Sequence, residues 1–330
     1  MTVSATASVA DRHLSRWMFL AAWVLLTIVL VATVPDLPWR RAAELMRRSS
    51  VPWLVAAVAA NGLIIPLWVA EWRLLVPTAF RVGFARMFEV VAVTAAVLNS
   101  VPFFAGEASA VALLIGRAAL SRGAALSILA MDQLLVGLAK LSVIAAAAIA
   151  VPLPSWLRAG ILSLVAGVAT IATLLLLLAI RWSSVRDRLL SRPSKVRGLA
   201  ARLVAWGSHL DALREPRRLV RLAALALAKK GAELLGVVAV QLAFGLDPSL
   251  SAALVVVAAL AVTTLIPVAP ANLGVYEATV FAAYRFLGFP AEAAVGLAIV
   301  QHVAFLLPAL VTGYATLTVR QLRSARPSER

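Results

Sequence analysis

The chain has 330 residues, of which 62% are hydrophobic and 14% charged, with a formal net charge of +16 and a mean hydropathy of +0.95. Soluble domains carry about 45–50% apolar and about 25% charged residues, so this composition points to a membrane protein. The chain has no cysteine and only three histidines, His13, His209 and His302; a disulfide framework and a thiolate metal site are excluded, and no metal-ligand spacing appears.

Apolar runs recur from end to end, each near the roughly 20 residues that a spanning helix needs. They cover about 17–34, 51–70, 84–101, 104–119, 123–150, 155–180, 219–244, 250–268, 272–287 and 292–318. The run 17–34 follows Arg12, His13 and Arg16 and is long for the apolar core of a signal peptide, so it is read as a retained first helix. The pieces 104–119 and 272–287 are short for a full crossing and are read as half-helices or re-entrant elements. The expectation is an all-α polytopic membrane bundle of about eight to ten apolar segments, one integral membrane domain over residues 1–330. A basic segment, about 181–218, is inserted into it. There Leu199, Leu203, Trp206, Leu210 and Leu213 recur at helical spacing while Arg197, Arg202 and Arg214 fall on other faces, the pattern of an amphipathic helix on the inner leaflet.

Basic loops set orientation. Residues 181–221 hold eleven Lys or Arg against Asp187, Asp211 and Glu215, and the tail holds Arg320, Arg323, Arg326 and Arg330. Both are expected on the cytoplasmic side of the cell membrane, together with the N-terminus. The loop 35–50 would fall outside yet carries Arg40, Arg41, Arg47 and Arg48, which suits an interfacial helix. Because the positive charge sits between spans, it is read as topology setting plus contact with anionic inner-leaflet lipid. Nucleic acid is not expected as a partner.

Two stretches repeat one design. The first runs Asn99-Ser100-Val101-Pro102-Phe103-Phe104-Ala105-Gly106-Glu107. The second holds Pro267, Pro270, Gly274 and Glu277. Proline removes an N–H and glycine loosens the backbone, so each should break a membrane helix. Such breaks are tolerated only against protein or a water-filled cavity. A matched pair, one per half, points to a transporter-like site and, with the orientation above, to an inverted repeat.

Charged groups at bilayer depth are functional candidates. Glu107 and Glu277 should each lie in the first turn of a helix, where free N–H groups favour an anion. Each could equally cap its helix or pair with a nearby arginine. Arg117 and Arg285 follow ten and eight residues later; a guanidinium suits a phosphate, though either could snorkel to the interface. Asp132 and Lys140 lie two turns apart and would need partners on other helices. Lys229 and Glu233 are read as an i,i+4 pair, leaving Lys230 for an anionic headgroup. His302, beside Gln301, is read as a hydrogen-bonded interior residue more readily than as a proton relay. Asn99 and Asp132 complete the candidate binding set, with no catalytic, cofactor or metal residue.

The runs N-S-V-P-F-F-A-G-E and P-V-A-P-A-N-L-G-V-Y-E-A, then A-E-A-A-V-G-L-A-I-V-Q-H, with Trp72-Arg73 earlier, resemble the flippase-like membrane family that includes the transmembrane domain of lysylphosphatidylglycerol synthases. The likeness covers about residues 15–320. It implies an integral membrane protein that moves a phospholipid or a polyprenyl-linked lipid between leaflets, without a soluble cofactor. The C-terminal synthase domain of the bifunctional members has no counterpart here, so synthesis of an aminoacyl lipid is not expected. Two departures stand out: the first motif lacks the basic residue common after Pro-Gly, and His302 stands where many members have arginine. The leading expectation is therefore a flippase-like transporter and not an enzyme. The alternatives are a membrane-embedded transferase using a lipid-linked donor, or an accessory protein that recruits a partner through its basic helix.

Overall fold

The computed structural model describes residues 38–101, 105–180, 215–265 and 269–324. The expected first helix at 17–34, the amphipathic segment up to residue 214, and Pro102 and Pro267 lie outside them. Within them the chain is helical, as apolar sequence in lipid requires, because only a helix satisfies its own backbone there. The helices are α1 (Trp39–Arg48), α2 (Val51–Gly62), α3 (Ile64–Leu75), α4 (Phe84–Leu98), α5 (Ala105–Gly116) and α6 (Arg122–Ala150), then α7 (Arg158–Ile180), α8 (Pro216–Ala243), α9 (Leu250–Thr263), α10 (Val275–Phe286) and α11 (Ala291–Ser324). The molecule is a polytopic, all-α membrane bundle.

Helices α2 and α3 form one apolar run, Val51–Leu75, of 25 residues. Their junction at Leu63 has a local cause: Pro66 offers no N–H to the carbonyl of Gly62. Arg122–Ala150, Ser155–Leu174 and Ala291–Arg323 are also long and apolar enough to cross a membrane. Large side chains such as Ile149 (89% exposed) and Leu162 (69% exposed) point outward, a surface suited to lipid and not to water. The basic stretch around residue 40 is helical: α1 packs against α11 and turns Ala42 inward.

Helix α8 is the hub, touching α2, α3, α6, α9 and α11. Around it the contacts repeat. Helix α5 packs against α4 and α6, as α10 packs against α9 and α11; α4 lies on α11, as α9 lies on α6. The order α2/α3–α4–α5–α6 thus returns as α8–α9–α10–α11. The inner pairs are antiparallel hairpins. Arg117, just past α5, reaches back to Glu89 near the start of α4, with Nη1 and Oε2 3.9 Å apart. In the second hairpin the hydroxyls of Thr263 and Thr279 meet at 2.9 Å beside the turn.

Helix α11 seats directly on α4 through Gly313. A Cβ there would fall 2.3 Å from the Ala96 side chain and 2.5 Å from the Ala92 carbonyl oxygen. Gly313→Val is therefore expected to cost about 1–3 kcal/mol through overpacking, read as a lower thermal midpoint in detergent. An unchanged midpoint would mean that the two helices do not pack this closely.

Candidate functional site

Three polar groupings surround a cleft of about 270 Å³ inside the bundle, lined from α3, α6, α8, α9, α10 and α11. The first centres on Lys229 of α8. Its ammonium lies 3.0 Å from Oε1 and 2.9 Å from Oε2 of Glu71 on α3, and 3.7 Å from Oδ1 of Asp132 on α6. The same Oδ1 accepts the indole N–H groups of Trp68 (3.0 Å) and Trp72 (2.9 Å). Glu71 is wholly buried and Asp132 nearly so. A charge taken out of water is tolerable only when paired and hydrogen-bonded, and here two carboxylates share one ammonium.

The second grouping is Lys230, Glu233 and Lys140. Lys230 donates to Glu233 one turn on, Nζ to Oε2 at 2.5 Å. This corrects the expected pairing. At i,i+4, Lys229 would have met Glu233; instead the helix turns Lys229 toward α3 and α6, and the i,i+3 pair is the one that forms. Lys230 is thus not the unpaired cation of α8. That part falls to Lys140 of α6, which lines the same cleft and has no ion-pair partner among the described residues.

The third grouping is the break between α9 and α10. Ala271 and Asn272 both adopt left-handed backbone, with φ of 52° and 54°, and Gly274 has φ of 82°. Glycine meets that demand without strain, asparagine tolerates it, and alanine does not. Glu277 folds back so that Oε2 accepts the N–H of Gly274 at 2.8 Å, one half of a capping box. Its other oxygen lies 2.7 Å from Nδ1 of His302, whose Nε2 lies 2.9 Å from the Ala271 carbonyl. Tyr276 stacks on the imidazole at 4.1 Å between centroids, and Gln301 donates to its hydroxyl at 3.2 Å. Ala271, Asn272 and Tyr276 line the cleft, so Glu277 and His302 stand behind that wall.

The first break is built differently. Asn99 closes α4 by donating to the Ala95 carbonyl (2.8 Å), and Ser100 meets the Tyr314 hydroxyl of α11 at 2.9 Å. Glu107 is in the first turn of α5, with Oε2 buried and no partner among the described residues. Arg117 faces Glu89 at the end of the hairpin. Arg285 is exposed at the end of α10 and donates to the Phe289 carbonyl at 2.7 Å, a helix C-cap contact and not a cleft contact. Arg285→Ala should therefore leave stability within about 0.5 kcal/mol of wild type; a larger loss in a detergent melt would contradict that placement.

The structure thus gathers Asp132, Lys140, Lys229 and Lys230 and leaves Asn99, Glu107, Arg117 and Arg285 outside the cleft lining. It adds Glu71 and Trp68, which sequence reading passed over because Glu71 sits just past the expected end of a span. A further signal was available. Ala124-Ala125 through Asp132-Gln133 and Ala293-Ala294 through Gln301-His302 share their spacing, and Asp132, Gln301 and His302 are buried in the bundle.

A helical bundle with this internal charge is a multi-pass membrane protein. The chain belongs to the family described as the lysylphosphatidylglycerol synthase TM region, which it matches over residues 18–313. That membership relates it to lipid metabolism or transport. No curated protein matches the chain.

Proposed function

We propose that the protein is a flippase-like transporter that moves a phospholipid, or another phosphate-linked lipid, between leaflets without altering it covalently. The headgroup enters the cleft while the tails stay in the bilayer. The observation that carries this reading is Lys140: an ammonium lining a cleft in an apolar bundle without an ion-pair partner among the described residues. A lipid phosphate supplies the missing anion, in a charge-assisted contact, and the carboxylates around Lys229 can accept from headgroup donors.

The hairpins favour the same reading. Helices α4 and α5 have 15 and 12 residues, and α9 and α10 have 14 and 12. At about 1.5 Å per residue each falls short of the roughly 30 Å hydrocarbon core. As re-entrant elements they enter and leave on one side, which makes the two halves of the repeat inverted, with both termini cytoplasmic in the cell membrane.

The test is movement of fluorescent NBD-labelled phosphatidylglycerol and phosphatidylethanolamine in proteoliposomes, followed by dithionite quenching and by mass analysis of the recovered lipid. Transbilayer movement above protein-free vesicles, with chemically unchanged lipid, is expected. A modified lipid would establish the transferase alternative. No movement, combined with loss of function on neutralising Arg197, Arg202 and Arg214, would establish the accessory role.

A further inference from the structure

We propose that Glu277 and His302 form a proton-binding site that fastens the turn Pro270–Asn272 across the cleft, so that opening of this wall is linked to release of one proton. A donor count carries the argument. A carbonyl oxygen only accepts, so the 2.9 Å contact with Ala271 requires hydrogen on Nε2 of His302. The 2.7 Å contact between Nδ1 and Glu277 Oε1 then needs a second hydrogen. It resides on Nδ1, making an imidazolium beside a carboxylate, or on Glu277, making a carboxylic acid beside a neutral imidazole. Either way the pair holds one proton more than a neutral imidazole plus a carboxylate.

Without that proton the two bonds cannot coexist. If hydrogen stays on Nε2, the Nδ1 lone pair faces an anionic oxygen. If hydrogen moves to Nδ1, the bond to Ala271 is lost. The other oxygen of Glu277 already accepts from Gly274 and offers no relief. The turn needs that fastening, because alanine at φ 52° sits in the left-handed region, where its Cβ crowds the following carbonyl oxygen. Released, Ala271 and Asn272 would move a wall of the cleft.

The surroundings leave Glu277 as the acid paired with His302 among the described residues. Helices α2 and α9 carry no charged side chain. Helix α8 brings Lys230 and Glu233, paired with each other. Helix α4 brings Arg86 and Glu89, the latter beside Arg117. Helix α1 brings Arg40, Arg41, Glu44, Arg47 and Arg48 to the opening turns of α11. Helix α11 adds Glu292, Arg320 and Arg323, and α10 adds Arg285, which is turned outward, and Tyr276, stacked on the imidazole.

The coupling to transport rests on the lipid reading; the proton site does not. The chain has three histidines, so His13→Gln with His209→Gln leaves His302 as the sole imidazole. In nanodiscs, nitrogen NMR of His302 across a pH titration should show loss of one shared proton, in step with shifts of the Asn272, Leu273 and Gly274 amides. Glu277→Gln donates to Nδ1 through its own amide, so it should abolish the titration and keep the neutral Nε2–H form throughout. An unchanged His302 titration in that variant, or amides that stay silent while wild type titrates, would overturn the proposal. Should Glu277→Gln fail to fold, His302→Gln serves, with pH-independent amides expected and persistent pH-dependent shifts counting against the site. NBD-lipid movement in the same preparations separates the two readings. An intact titration without lipid movement removes only the transport reading, and lipid movement with a silent His302 removes only the proton site.

Discussion

Lys229→Met is expected to destabilise the protein by about 3–5 kcal/mol, the range for removing one partner of a buried ion pair. The substitution strands Glu71, which is fully buried, and leaves Asp132 with the two indole N–H groups among the described residues. A methionine of similar length fills the space, so the loss reports on charge and not on a cavity. Adding Glu71→Gln removes one of the stranded carboxylates and should recover a substantial part of the loss. Thermal unfolding in detergent, followed by loss of monodisperse protein, measures both steps. A single variant as stable as wild type, or a double variant no better than the single, would mean that Lys229 does not hold this cluster together. The result bears on the proposed function because Asp132 and Lys229 both line the cleft: the carboxylates are held in place by the protein's own groups.

The second large effect is on the proposed lipid movement. Lys140→Gln is expected to lower the rate of NBD-phosphatidylglycerol movement at least about tenfold, the equivalent of a charge-assisted hydrogen bond worth roughly 1.5–3 kcal/mol. Folding should be little changed, since no described carboxylate depends on Lys140. Lys140→Arg keeps a cation and should retain more activity than Lys140→Gln. Lys230→Gln should behave differently, because it leaves Glu233 without its partner and so should lose stability as well as rate. If Lys140→Gln and wild type move lipid equally fast, the phosphate does not bind there and the proposed anchor is wrong.

Much of the fold can be read from the order of residues. The spans are legible because each apolar run exceeds what a soluble domain would tolerate: the expected 123–150 is found as Arg122–Ala150, whereas 51–70 continues to Leu75 as two helices and 292–318 continues to Ser324. The breaks are legible because Pro and Gly act on their own backbone. The side-chain partners are less so. Lys229 and Lys230 are adjacent, and local spacing alone favoured Lys229 for Glu233. Which of the two turns inward depends on where α3 and α6 lie relative to α8, and that is set by Glu71 and Asp132, each far from Lys229 in sequence. Glu107 and Glu277 look alike in sequence, yet one has a histidine partner and the other has a carboxylate oxygen unpartnered among the described residues. Arg285, a candidate for phosphate contact, lies at the end of a short helix, and its guanidinium reaches outside to the Phe289 carbonyl.

What the sequence determined by itself is the class of the molecule, its helical segments, the two broken elements and the family. Those properties follow from hydrophobicity and from backbone constraints that act within a few residues. What only the tertiary structure decided is the pairing: Lys229 between Glu71 and Asp132, Lys140 on the cleft without an ion-pair partner among the described residues, and His302 bridging Glu277 and the strained turn at Ala271. These follow from which helix faces meet around α8, and a charge buried in lipid takes its character from the partner that a distant segment supplies.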